Sequence, residues 1–566
     1  MRKKNVLALL LVLVMAASVA LTGCNKPKTP SGDQGSAKLD ADQHLNVPLV
    51  TEIKTLDSSK TTDVYSATVQ LNTQEGLIRV TNDGEKDIIE KAGAESWDVS
   101  PDGLTWTFHL RDYKWSDNKP VTAGDYEYAW KRLLDPATKA GYSYLITDKI
   151  VGAADFNAGK GSADAVGIKA TDDKTLEVKL VKPVAYFDKM LGMQGLLPLR
   201  KDIVEAGGET YGQDPSKLVY CGPYTVSEWT KGTRVVLKKN PQYWDASKVK
   251  LETVNLPIIQ DRNARMKSFD TKELDAAGAT GEYKDQYKKL ADEKKLQYQY
   301  GFTPATSYIF FNTKDKENLF TNRDVRMAFS LAWDKDTFVK NVEKAGAPAY
   351  GWVPNRLLIG NDEYRTKVPE ELKDIKDDPK QLLTKGLQAL GKDTDPSKIT
   401  VTFLSSGTTQ LDKDTFDYLA DQWKKNLGIK EVKQDAVTDF AQFQQRVDNE
   451  QFQISAMGWI GDYNDPMTFL DMWTSANAAP GGTNSSKYEN KDYDALIDQV
   501  SKEQDNAKRL DIFKQCEQKL LIDDAVISPM YYQDSNFFSY PYVKDLQLPL
   551  FGPIYNLKTA YTQGRQ

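Results

Sequence analysis

Leu104-Thr105-Trp106-Thr107-Phe108-His109-Leu110 alternates apolar and polar positions. That period of two predicts a strand with Trp106, Phe108 and Leu110 on one buried face and His109 on the other. Asp102-Gly103 before it is a turn signal, and Trp97-Asp98-Val99 supplies the partner strand of a hairpin. The alternation recurs at 175–180 and 233–238. Helical spacing is as clear elsewhere. Residues 122–134 put Tyr126, Trp130, Leu133 and Leu134 on one stripe and stop before Pro136. Residues 322–332 and 507–521 predict two more helices. No fixed-period repeat occurs. Strands and helices interleaved in this way predict an α/β or α+β chain with mixed sheets and several lobes.

The first residues follow a different pattern. Arg2-Lys3-Lys4 precedes an apolar stretch from Val6 to Ala17, too short for a membrane span, and Leu21-Thr22-Gly23-Cys24 follows it. A basic start, a short apolar core and small residues describe a secretory signal peptide over 1–23. Its end resembles the lipobox of bacterial lipoproteins, in which the Cys24 thiol takes diacylglycerol and Cys24 becomes the new N-terminus. Residues 24–40 are rich in Pro, Gly, Ser and Lys and read as a flexible tether. No later stretch approaches about 18 consecutive apolar residues, so nothing else is predicted to span. The expectation is a folded body held outside the cytoplasmic membrane by a lipid anchor.

Composition narrows the chemistry. The 566 residues carry 74 Lys+Arg against 80 Asp+Glu, a net charge of −6, which argues against an electrostatic grip on nucleic acid. Two histidines and three cysteines leave little for a transition-metal site, and no cofactor is expected. Once Cys24 is lipidated, Cys221 and Cys516 read as buried free thiols. Catalytic strings fail on context. Ser116-Asp117-Asn118-Lys119 overlaps two β-lactamase-type motifs in a single loop, with no Lys-Thr-Gly to accompany them. Asp98-x-Ser100-x-Asp102-Gly103 starts like a calcium loop but carries His109 at its twelfth position. Gly159-x-Gly161 lacks the third glycine of a dinucleotide fingerprint, and a Ser-His-Asp relay would have to use His44 or His109. The 11 Trp, 28 Tyr and 20 Phe suit both a large core and an aromatic ligand chamber.

Longer stretches carry a resemblance. Ala94 through Arg111, then Trp115-Ser116-Asp117, Pro120-Val121-Thr122-Ala123, Trp130-Lys131-Arg132 and Asp135-Pro136, are similar to the signature region of family 5 extracellular solute-binding proteins. Gly222-Pro223-Tyr224, Asn240-Pro241-Gln242-Tyr243-Trp244, Phe310-Phe311-Asn312-Thr313 and Gly458 through Pro466 continue it. The resemblance spans about residues 45–560, in order. It implies an oligopeptide-binding lipoprotein of a bacterial ABC importer, not an enzyme. The implied fold is α/β, a three-lobed periplasmic-binding-protein clamshell (type II-like, cluster C) with mixed β-sheets. Lobe I is expected at 41–74, 218–300 and 536–566, lobe II at 75–217 and lobe III at 301–535.

In that family, peptide is held by its backbone and termini. Asp462 matches the carboxylate that pairs with the peptide α-ammonium; the reading without the family is an Asx-type turn before Asn464-Asp465-Pro466. Gly458, Trp459 and Ile460 before it, Tyr463 after it, and Thr62-Asp63-Val64 match segments that line the ligand, with Tyr142 as a further wall. Where enterobacterial members carry a cysteine, Ile460 stands here. The basic residue before their Gly-Trp pair is replaced by Ala456-Met457, so no contact to the peptide carboxylate carries over. The implied partners are an oligopeptide, the permease subunits of an ABC transporter and, through the anchor, the membrane; the protein is expected to be monomeric. Alternatives are a nickel chelate, a haem, an oligosaccharide or a peptide pheromone in the same fold, or a surface hydrolase or chaperone-like protein.

Overall fold

The computed structural model describes residues 38–565 apart from 84–85, 438–439 and 480–481. The signal peptide and Cys24 lie outside the described residues. The predicted hairpin forms: Ala94–Val99 pairs antiparallel with Thr105–Leu110, Trp97 opposite Phe108. Thr175–Lys179 and Ile168–Asp172 extend it to four antiparallel strands. Helix Ala123–Leu134 packs on this sheet and buries Tyr126, Trp130, Leu133 and Leu134 completely. Its first turn is fixed by Asp125, whose carboxylate accepts the Thr122 N–H at 2.9 Å.

A second four-stranded sheet runs in the order His44–Asn46, Thr253–Pro257, Arg234–Lys239, Tyr224–Thr230. It surrounds a separate core that includes Leu45, Val235, Leu237, Val254 and Leu256. The third sheet is the largest and mixes parallel with antiparallel pairing. Its centre is two long strands, Gln297–Phe311 and Ile527–Ser539, which pair with each other through two register shifts. One end of the pair joins Ala276–Gly278 and a small core of Met266, Phe269, Tyr287 and Phe538. The other end enters the largest core, beside Tyr308, Phe310, Trp352 and Trp473.

Helix Arg323–Leu331 forms with Asn322 as its cap, as its spacing predicts. The helix predicted from 507 is α-helical over Asn506–Gln518 and widens into a π turn at Lys519–Asp523. Cys221 and Cys516 are buried and unpaired. Among the described residues no helix is long and apolar enough to cross a membrane, and no group of three or more His, Cys, Asp or Glu could hold a metal ion.

Candidate functional site

Strand Ile454–Ile460 builds the floor of a cleft because one of its edges is left open. On one side it pairs antiparallel with Gln297–Phe311, from Phe311 opposite Ile454 to Ala305 opposite Ile460. On the other it runs parallel to Thr400–Ser405, but pairs only at Ile454 and Ser455. Beyond Ser455 the two strands part, while Thr400–Ser405 continues in register with Glu431–Ala436. Among the described residues the backbone groups on that edge of Ala456–Ile460 therefore have no strand partner, an arrangement that accepts an added strand. A cavity of about 290 Å³ fills the split, with Phe403, Ser405 and Leu411 on one wall and Ala456, Met457 and Gly458 on the other. Ile460, at the end of the strand, is 56% exposed.

The turn after the strand aims Asp462 into the cleft. Gly461 donates its N–H to the Pro304 carbonyl at 2.8 Å. It lies so close to its neighbours that a Cβ there would sit 2.8 Å from a Phe469 ring carbon. The Asp462 N–H donates to Thr468 Oγ1 at 2.9 Å. The turn-forming carboxylate is Asp465, which accepts the Met467 N–H at 3.1 Å and pairs with Arg509 at 2.8 Å. The Asx-turn reading of Asp462 thus passes to Asp465. The Asp462 side chain is left to accept a hydrogen bond from the Tyr144 hydroxyl at 2.8 Å, with Tyr142 bonded to it as well. Tyr142 and Tyr144 stack with centroids 5.5 Å apart. Burial pushes the Asp462 carboxyl up to about 6, against the opposing hydrogen bonds of the two tyrosines and the charge of Lys149.

Around Asp462 lies a cavity of about 630 Å³ that includes Tyr144, Lys149, Tyr186, Trp459, Tyr463, Met467 and Asp471 in its lining. The Trp459 indole N–H donates to the Thr468 carbonyl at 2.8 Å, which holds its ring against the cavity. Tyr463 is 3% exposed and stacks face to face on Tyr186 at 4.9 Å, so it packs two segments together as well as walling the space. Asp63 caps helix Val64–Thr73, accepting the N–H groups of Tyr65 and Ser66. Val64 is therefore the first helical residue and does not continue an extended segment. Thr62 beside it is exposed and packs against Gly141, next to Tyr142.

The fold thus brings Asp462, Trp459 and Tyr463 together around one chamber, with Tyr142 behind Tyr144 of its lining. Gly458 sits in the adjoining split, and Thr62 to Val64 abut the Tyr142 wall. Sequence reasoning missed Tyr144, Lys149 and Asp471. Tyr144 follows the singled-out Tyr142 by two positions; nothing in the sequence separates Asp471 from the other acids.

The family model for bacterial extracellular solute-binding proteins, family 5, matches residues 89–481. The oligopeptide-binding protein OppA of Bacillus subtilis (strain 168) is 32% identical over 561 residues, covering 98% of both chains. Among solved structures, Listeria monocytogenes OppA bound to peptide is 33% identical with a TM-score of 0.76, over 93% of this chain and 100% of that one. The substrate-binding domain of an oligopeptide ABC transporter from Bacillus anthracis str. Ames is 32% identical with a TM-score of 0.77, over the same shares. The three-lobed α/β clamshell with mixed sheets is the fold this chain shares with them.

Proposed function

The chain belongs to the bacterial extracellular solute-binding proteins of family 5, and from that premise we propose that it is a receptor that captures oligopeptides between its lobes and delivers them to the permease of an ABC transporter. The observation that carries this reading is the pairing of an open strand edge at Ala456–Ile460 with a half-buried carboxylate, Asp462, at its end. An extended peptide added to that edge satisfies its own backbone and the strand's, whatever its side chains are. Its α-ammonium then falls at Asp462, where a desolvated ion pair is worth more than one in water. Trp459, Ile460, Tyr463 and Tyr142 wall the chamber. Thr62 to Val64 face the peptide from lobe I.

Peptide sits where lobe II (75–217) meets lobe III (301–535), with lobe I made of 41–74, 218–300 and 536–566. The protein is a monomer anchored outside the cell membrane by diacylglycerol on Cys24, after removal of residues 1–23. It is a binding protein that releases its ligand unchanged.

Two measurements test this. Gentle purification followed by native mass spectrometry and denaturation should release a ladder of short peptides; one discrete non-peptide mass would overturn the ligand. Asp462→Ala should weaken binding of free peptides by tenfold or more and of N-acetylated peptides by little. Equal losses for both would sink the ammonium role.

A further inference from the structure

The chamber around Asp462 is lined by residues of the segments 143–186 and 459–501, and many of its polar side chains are acidic. Asp148, Asp462, Asp471, Asp494 and Asp498 line it, against Lys149 and Lys182. Most of these charges are already engaged. Asp148 pairs with Lys149 at 2.7 Å, Asp498 pairs with Lys502 at 2.6 Å, and Asp494 accepts the Ser475 N–H at 2.8 Å. Lys182 donates to Ser501 Oγ at 2.8 Å.

Asp471 is the exception. It sits on the short turn Asp471–Trp473, where its backbone carbonyl accepts from Thr474 and Asn477, while among the described residues its carboxylate takes no hydrogen bond and no ion pair. Burial pushes that carboxyl up to about 7. Lys149 opposes the shift, and the negative neighbours Asp148, Asp462 and Asp465 add to it. A desolvated carboxylate with no donor is a costly thing to keep beside a ligand cavity. Apolar and aromatic side chains share the cavity with it: Tyr144, Leu145, Tyr186, Tyr463, Met467 and Met472. An apolar lining that also holds a carboxylate with no hydrogen-bond donor among the described residues matches a long cationic side chain, whose methylene stem packs on the walls while its head reaches the acid.

We propose that this protein prefers peptides whose first residue is Lys or Arg, with the α-ammonium on Asp462 and the side-chain cation on Asp471. The inference rests on the assignment of Asp462 to the peptide amine. A neutral first side chain leaves Asp471 without a partner. An acidic one enters a chamber of five carboxylates and two lysines, where like charges select against it.

The test is calorimetric titration of the full-length protein at pH 7.5 with five pentapeptides. Four are Xaa-Ala-Ala-Ala-Ala with Lys, Arg, norleucine or Glu first, and the fifth is the N-acetylated norleucine peptide. Norleucine keeps the Lys stem and drops its charge. The Lys and Arg peptides should bind about tenfold or more tighter than the norleucine peptide, with the Glu peptide weakest. In Asp471→Asn the Lys, Arg and norleucine peptides should converge to within about threefold of one another. Equal affinity for Lys and norleucine in the wild-type protein overturns the proposal, and that comparison needs no variant to fold. A uniform loss for all peptides in Asp471→Asn overturns it too. The acetylated peptide separates the two readings. If acetylation weakens binding while Lys and norleucine remain equal, only the Asp471 assignment fails; if acetylation changes nothing, the Asp462 assignment fails and this one with it.

Discussion

Asp462 and Asp471 are carboxyls held in an environment that suits their protonated forms until a cation arrives. Burial leads the shift at both, up to about 6 at Asp462 and about 7 at Asp471. In an unfolded chain the same groups titrate near about 4. Between those values the folded protein binds more protons than the unfolded chain. The stability these groups contribute is full below the unfolded value and is lost as pH rises through about 6 and then about 7. Replacing Asp462 by Asn should therefore raise the melting midpoint of the empty protein at pH 7 to 8 and leave it nearly unchanged at pH 4; thermal unfolding across that range checks the sign. Ligand binding runs the other way, because an ammonium needs the ionised carboxylate. For a peptide with an apolar first residue, affinity should climb by up to about tenfold per unit below pH 6 and level off above it. The Asn variant should be weak and flat. A wild-type profile that is flat from pH 5 to 8 would contradict the role given to this carboxyl.

The elements that were legible in the sequence are those whose pattern is local. The alternation at 104–110 and the stripe of Tyr126, Trp130, Leu133 and Leu134 each specify a face, and each face is buried as its period requires. The split between Ile454–Ile460 and Thr400–Ser405 is not local: it depends on two strands about fifty residues apart pairing at two positions and then diverging. Neither strand carries a sign of it. Asp63 was singled out through family likeness, yet its side chain serves as a helix cap, a role its position ahead of an apolar run also suits. Asp462 shows the limit in the other direction. Its sequence context favours a turn, and only the structure assigns the turn to Asp465. Gly461 is where element and site meet. A methyl group there would press on the Phe469 and Phe551 rings and on Thr468, whose hydroxyl accepts the Asp462 N–H. Gly461→Ala should displace that turn and lower peptide affinity by about tenfold, with a loss of only a few degrees in melting midpoint, since the strand before it keeps its pairing. Titration and thermal unfolding of one sample separate the two effects.

At the scale of the molecule, the chamber exists because segments distant in sequence are pinned across it. Tyr144 bonds Asp462 at 2.8 Å, Tyr186 stacks on Tyr463, and Lys182 donates to Ser501. A fourth pin is Lys189, whose ammonium donates to the Asn464 carbonyl at 2.7 Å and the Leu358 carbonyl at 3.2 Å, with Asp465 4.0 Å away. It thus holds the turn that carries Asp462 from behind. Burial, the leading influence, pulls the Lys189 pKa down, with Asp465 and Asp188 opposing. Opening the cleft would break all four contacts together, and clamshell motion is the way such proteins admit and release ligand. Lys189→Met keeps the apolar stem and removes the three donors. The Asp465–Arg509 pair survives this change, so the fold should hold and the melting midpoint should move little. What should change is the balance between open and closed forms. Peptide dissociation should quicken by about tenfold with the association rate nearly unchanged, and the empty protein should show a larger radius of gyration in X-ray scattering. Stopped-flow dissociation that matches wild type would mean that Lys189 only packs the turn. It would leave closure to the two tyrosine contacts and the Lys182–Ser501 bond.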